Sequence, residues 1–299
     1  MDQNTQFTMN KPKAWWLAIR PRTLPAAVAG VLTGSAVAVQ AHQFRFWPAF
    51  GALFVALLLQ IGSNLANDVF DFEKGVDTGE RLGPTRVTQS GLLSPREVKT
   101  GAYIVFALAG LIGLALAAYS SWWVLLVGAL AILSALAYTA GPYPLGYHGL
   151  GEAFVFLFFG MVAVVGTYFV QAGSISALAV WMSIPVGLII VGILVVNNLR
   201  DIDSDRAAGK KTLAVKFGEN FAKKEYAFCL ILPFILLMVY YLVGLLPWKV
   251  LFCMLTIPFV VKTIQTVYWV KGKPLNKALG NTGIIAFLFS ILLLIAVIL

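Results

Sequence analysis

Charge is scarce in this chain. Only 12% of its 299 residues are Asp, Glu, Lys or Arg, about half of the roughly 25% typical of a soluble domain. Acidic residues are the rarer sign, 13 against 22 basic ones. The two cysteines, Cys229 and Cys253, lie inside apolar stretches. They make no metal-ligand spacing and say little about redox compartment. The first ten residues are polar, with no signal-peptide core and no Arg- and Ser-rich transit sequence. The shortage of charge argues against a soluble globular domain. The missing targeting signals favour a bacterial inner membrane over an organelle.

What fills the chain is apolar: 60% of residues are hydrophobic and the mean hydropathy is +0.85. Nine stretches approach the ~17–25 residues a spanning helix needs. They run approximately 24–41, 47–66, 100–118, 121–138, 151–171, 176–196, 226–245, 247–266 and 279–299. The expected fold is all-α, a single polytopic membrane domain over 1–299. Lys and Arg in short loops set orientation. With a cytosolic N-terminus, 20 of the 22 fall on the cytosolic side and only Arg45 and Lys249 on the other. This asymmetry accounts for the net charge of +9 without a nucleic-acid partner, and such a face would attract anionic lipid headgroups. Residues Lys13 to Arg20 read as a short interfacial helix with Trp15 and Trp16 at headgroup depth. Nothing in the sequence speaks to an oligomeric state.

The few acids are not spread evenly. Eight of the 13 are Asp68, Asp71, Glu73, Asp77, Glu80, Asp201, Asp203 and Asp205. They open two long loops, 67–99 and 197–225, each at the cytosolic end of an apolar stretch. Carboxylates packed so closely repel one another unless a cation shares them. Mg²⁺ is usually held by one or two carboxylates plus substrate phosphates. Two such clusters beside lipid point to a site for a membrane-soluble diphosphate. Each acid stripe has a bland reading as a solvated helix end, but polar groups near membrane depth are costly and usually functional.

Helical spacing selects the acids that can cooperate. Residues three and four apart share a face. Asn64, Asn67, Asp68 and Asp71 form one stripe if the second helix continues to Asp71, while Asp77 lies beyond Gly75, where the helix ends or bends. In the second cluster Asn198, Asp201 and Asp205 share a face and Asp203 points elsewhere. An Asn amide can ligate metal through oxygen or bond phosphate through nitrogen without adding charge. Asn67 and Asn198 are 131 residues apart, and both end an even-numbered helix. This suggests two tandem four-helix repeats plus a ninth helix, with a shared site at the repeat interface.

These residues carry a resemblance. Asn67-Asp68-Val69-Phe70-Asp71 with Asp77, and Asp201-Ile202-Asp203-Ser204-Asp205 preceded by Asn198-Leu199-Arg200, resemble the two aspartate motifs of the UbiA superfamily of intramembrane aromatic prenyltransferases. The likeness covers nearly the full chain. The six-residue step from Asp71 to Asp77 is similar to the branch that prenylates naphthoquinone precursors. So are Glu80 to Gly91, Tyr138 to Tyr147, and Arg20-Pro21-Arg22-Thr23-Leu24-Pro25.

The resemblance implies transfer of a polyprenyl group from polyprenyl diphosphate to 1,4-dihydroxy-2-naphthoate, with loss of CO₂ and pyrophosphate, in menaquinone biosynthesis. It implies Mg²⁺ held by Asp68, Asp71, Asp77, Asp201 and Asp205, with Asn67 and Asn198 completing the site and Asn64 on the same stripe. Candidate diphosphate-binding residues are Arg22, Arg81, Arg86, Arg200, Lys210 and Lys211. Tyr138 and Tyr143 are candidates to steady an allylic cation through their rings. Each has a plainer reading: Arg81 and Arg86 as headgroup anchors, Lys210 and Lys211 as topology charges, Tyr138 as a girdle aromatic. His148 is a lone loop histidine, and Glu152 reads equally as a helix-start acid. Another acceptor, 4-hydroxybenzoate or homogentisate, fits the same motifs. An ion-coupled transporter would instead place its acids near the bilayer midplane.

Overall fold

A computed structural model describes residues 10–75 and 82–299, and among these the regular structure is helical throughout. Eight helical spans are long and apolar enough to cross a membrane. The first is made of α1 (Lys11–Ile19) and α2 (Leu24–Gln40), joined by a short turn at Pro21–Thr23. The others are α3 (Phe46–Glu73), α4 (Pro95–Tyr119), α6 (Gly151–Ala172), α7 (Ala177–Arg200), α10 (Glu219–Leu242), α11 (Trp248–Trp269) and α12 (Leu275–Ile298). Between α4 and α6 lies α5 (Trp123–Ala137), with 15 residues. At 1.5 Å per residue it is about 22 Å long, short of a hydrocarbon core of about 30 Å. Two short helices, α8 (Ile202–Ala207) and α9 (Leu213–Phe217), link α7 to α10. The nine apolar stretches thus correspond to eight full spans and one short helix. The chain is a multi-pass membrane protein.

Local chemistry explains several boundaries. Ser94 caps α4: its hydroxyl accepts from the Glu97 amide at 3.3 Å, and the Glu97 carboxylate accepts from the Ser94 amide at 2.9 Å, satisfying two donors at the helix start. The α3 helix runs past the expected end at 66 as far as Glu73, and stops where Gly75 adopts φ +66°. Inside the bundle, α2 packs against α6 through small residues. A Cβ on Gly34 would sit 2.4 Å from the Val164 carbonyl oxygen, a backbone approach common between membrane helices. The main core lies among α7, α10 and α12, with Met182, Ile189, Leu230, Leu237, Ile285 and Phe289 fully buried. A smaller core joins α3 and α4 through Leu65, Val69, Val98 and Ala102. The short α5 packs on α3 and α4 and buries no residue, and its other flank lines a cavity.

Candidate active site

A single cavity of about 920 Å³ takes in residues from both aspartate clusters. Its head is polar, lined by Arg20, Asn67, Asp71, Arg86, Asn198, Arg200, Asp201, Asp205 and Lys210. Its body is apolar, walled by α3, α5, α6 and α7 through residues such as Val55, Leu59, Val127, Phe158, Val162 and Ile193. The two clusters are therefore not separate helix ends. They meet at one end of one cleft.

The first cluster rides on the last turns of α3. Because that helix is unbroken, Asn64, Asn67, Asp68 and Asp71 fall on one stripe, but their side chains do different things. Asn64 is tied to the N-terminal segment, donating to the Ile19 carbonyl at 2.9 Å and the Thr23 hydroxyl at 3.0 Å. Asn67 accepts from the Thr139 hydroxyl at 3.1 Å. Asp68 is fully buried and is absent from the cavity wall. Its two oxygens accept from the backbone amides of Val87, at 3.2 Å, and Thr88, at 3.0 Å, with the Arg20 guanidinium 3.8 Å away. Asp71 does face the cavity. It accepts from the Tyr147 hydroxyl at 2.7 Å and from the Arg86 guanidinium.

The second cluster is built where α7 gives way to α8. Arg200, 3% exposed, grips Asp201 with two nitrogens and spans to Asn197 and Asn276, at 2.8 and 2.7 Å. Asn198 donates to the Glu152 carboxylate at 2.8 Å. Asp205 meets Lys210 at 3.3 Å. Burial pushes the Asp205 carboxyl above its ordinary value, Lys210 opposes this, and the carboxylates of Asp201 and Asp71 push it further up. Asp203 is exposed and pairs with Arg206 at 3.3 Å, away from the cleft. Among the described residues no three acidic, His or Cys side chains alone enclose a cation position.

Other candidates lie elsewhere. Arg22 and Lys211 are exposed and off the cavity wall. Tyr143 is 58% exposed and stacks on His148. Tyr138 lines the cavity. Asp77 and Arg81 lie outside the described residues. Four residues not singled out by sequence join the site. Arg20 ends α1 at φ +54°, and this corner leaves Arg20, not Arg22, on the cavity wall. Tyr147 lies beneath Lys74 and Lys210, whose ammonium groups are 5.4 and 4.7 Å from its ring centre. Asn197 and Thr139 also line the cleft. Their sequence signal is position, beside an aspartate motif for Asn197 and inside the stretches that carry the resemblance for Arg20, Thr139 and Tyr147.

Comparison with known proteins places the chain in a family. The family described as "UbiA prenyltransferase family" matches residues 27–297. The chain is 44% identical to the 1,4-dihydroxy-2-naphthoate octaprenyltransferase of Mycobacterium tuberculosis over 71% of this chain and 72% of the relative. It is 40% identical to that of Escherichia coli over 76% of each, and 36% identical to that of Haemophilus influenzae over 94% of each. Among solved structures, a UbiA homolog from Aeropyrum pernix superposes with a TM-score of 0.70 at 16% identity, covering 96% of this chain and 98% of that one. An Archaeoglobus fulgidus homolog bound to GPP and Mg²⁺ gives 0.69 at 16%, covering 96% of this chain and all of that one. The chain belongs to the UbiA prenyltransferase family.

Proposed function

We propose that this protein transfers a polyprenyl group from its diphosphate to 1,4-dihydroxy-2-naphthoate, releasing pyrophosphate and CO₂, in menaquinone biosynthesis. The observation that carries the reading is the shared cleft, with two aspartate clusters at its head and an apolar body suited to a lipid tail. The dihydroxynaphthoate octaprenyltransferases matched at 36–44% identity support the acceptor. The 20-to-2 distribution of basic residues supports a bacterial inner membrane with the cleft head facing the cytosol.

The donor set fits magnesium. Asp71, Asp201 and Asp205 supply hard oxygen at one end of the cleft, with Asn67 and Asn198 beside them, the oxygen-rich donor set that Mg²⁺ prefers. Bound there, magnesium supplies Lewis-acid neutralisation of the charge that grows on the leaving pyrophosphate. In this proposal Asp68 is not a ligand, because it is fully buried off the cavity wall, with its oxygens turned to the amides of Val87 and Thr88. It holds the loop that delivers Arg86. Asp77 and Arg81 enter the proposal on their motif alone, and Arg22, Lys211 and Tyr143 do not enter it.

The chain's residues act on both ends of the breaking bond. Arg20, Arg86, Arg200 and Lys210 converge on the cleft head from four different segments. A well-placed preorganised donor stabilises a developing anion by roughly 3–4 kcal/mol. The prenyl C–O bond breaks with its electron pair going to pyrophosphate. Tyr138 and the Phe158 and Phe159 rings lie below the head, where π-faces steady an allylic cation and apolar walls exclude water. The ring carbon bearing the carboxylate then bonds to the prenyl carbon, and CO₂ leaves its bonding electrons to restore the aromatic ring. Mass spectrometry of the product made by purified protein from dihydroxynaphthoate and a prenyl diphosphate tests this. A prenylated ring without the carboxylate is expected. Turnover of 4-hydroxybenzoate or homogentisate in its place would move the protein to another branch of the family.

A further inference from the structure

Glu152 is the most deeply placed acid that the proposed mechanism leaves unused. It sits on the first turn of α6, 8% exposed, and does not line the cavity. One oxygen accepts from the Asn198 amide nitrogen at 2.8 Å. The other is buried without a hydrogen-bond partner, a costly arrangement for a carboxylate. Its neighbour Gly151 is closely packed. A Cβ there would meet the Tyr138 hydroxyl at 2.8 Å and the Leu194 side chain at 3.0 Å, so a larger residue would press on both side chains.

An Asn side chain has a donor end and an acceptor end. The Glu152 oxygen facing Asn198 accepts from its nitrogen, so Glu152 settles which end of Asn198 points where. With the nitrogen turned back to Glu152, the Asn198 oxygen is the atom offered to the cleft. On the opposite cluster the arrangement is reversed. The Thr139 hydroxyl donates to the Asn67 oxygen, so Asn67 offers its NH₂ end. One amide is set to present an oxygen and the other to present N–H.

We propose that Glu152 is a positioning residue that fixes the Asn198 amide with its oxygen toward the cleft as a neutral cation ligand, leaving Asn67 to donate to the diphosphate. The inference rests on the reading that the second aspartate cluster holds a divalent cation. Partners behind metal ligands orient them, and their loss typically weakens metal binding about 10–100-fold.

The test reads metal binding, not turnover. Mn²⁺ is titrated into the full-length, detergent-purified protein with a non-reactive prenyl thiolodiphosphate, and free Mn²⁺ is followed by electron paramagnetic resonance. Glu152→Ala and Asn198→Ala should each weaken Mn²⁺ binding about tenfold or more. The double variant should be no weaker than Asn198→Ala. Glu152→Gln, whose amide oxygen accepts the same bond without the charge, should bind like the parent. Parent-like binding by Glu152→Ala, additive losses in the double variant, or a Glu152→Gln as weak as Glu152→Ala would each overturn the inference while the cation site stands. If Glu152→Ala does not purify as a monodisperse protein, the Glu152→Gln and Asn198→Ala titrations decide: a weakened Glu152→Gln or an unaffected Asn198→Ala overturns it. A parent that binds no Mn²⁺ would remove the cation site itself, and this inference with it.

Discussion

The Tyr147 hydroxyl donates to Asp71 at 2.7 Å, linking the loop after α5 to the tip of α3 and joining the first aspartate motif to a residue 76 positions away. Burial, and then the Asp71 charge, push the Tyr147 phenol far above its usual value, so it acts as a donor and not as a base. Hydrogen bonds to charged groups contribute about 1.5–3 kcal/mol. Tyr147→Phe should therefore lower kcat/KM for the prenyl diphosphate by about tenfold or more, with the acceptor KM unchanged. Steady-state kinetics with each substrate varied in turn checks this. An equal rise in both KM values would mean that the loop as a whole had shifted.

Two aspartates of one motif should fail in different ways. Asp71 faces the cavity and Asp68 does not. Asp71→Asn keeps an acceptor oxygen for Tyr147 and Arg86, so it should abolish transfer while the protein still inserts and loses less Tm than Asp68→Ala. Asp68→Ala leaves the Val87 and Thr88 amides without their acceptor, at a cost of about 1–3 kcal/mol for each buried group. It should lower Tm as well as activity. Thermal unfolding of both variants, alongside turnover, separates the roles. An Asp68→Ala that is inactive at the parent Tm would return Asp68 to the list of direct ligands.

Divalent cations should be required. EDTA should stop turnover and added Mg²⁺ should restore it, as read by prenylated product. Asp201→Asn should be inactive at every Mg²⁺ concentration, since Arg200 would remain in place with its carboxylate partner gone. Full turnover in the strict absence of divalent cations would remove the metal from the mechanism.

Much of this site was legible because acids are rare here. Polar residues at the tips of apolar helices stand out, and spacing of three and four placed Asn67 and Asp71 on the stripe that reaches the cleft. The same spacing included Asp68, whose oxygens are taken by backbone amides from a loop 19 and 20 residues on. Periodicity carries no trace of such a contact. Loops have no period at all. Arg20 and Arg22, or Tyr143 and Tyr147, are equivalent by residue type, and only the corner after α1 and the turn before α6 decide which enters the cavity. The short α5 shows the other limit. Its apolar run, 121–138, reads as a span because Trp122 and Tyr138 extend it at either end, while the helix itself has only 15 residues.

The depth of the cleft leads to a prediction about the donor. Gly128 on α5 and Gly166 on α6 both line the cavity, and a Cβ at either would meet nothing within 4 Å. These are open points in the wall, not tight helix contacts. Gly128 precedes Tyr138 by ten residues, about 15 Å along a helix, so a large side chain there would obstruct the body and leave the head untouched. Forcing a tail past added bulk costs about 1–3 kcal/mol. Gly128→Phe and Gly166→Leu should therefore reduce kcat/KM for long polyprenyl diphosphates by about 5- to 160-fold, and leave dimethylallyl diphosphate nearly unaffected. A ladder of donors of increasing length, assayed on both variants, reads the position of the block as a break in the series. If every donor slows by the same factor, the tail does not run between α5 and α6, and it leaves the head by another route.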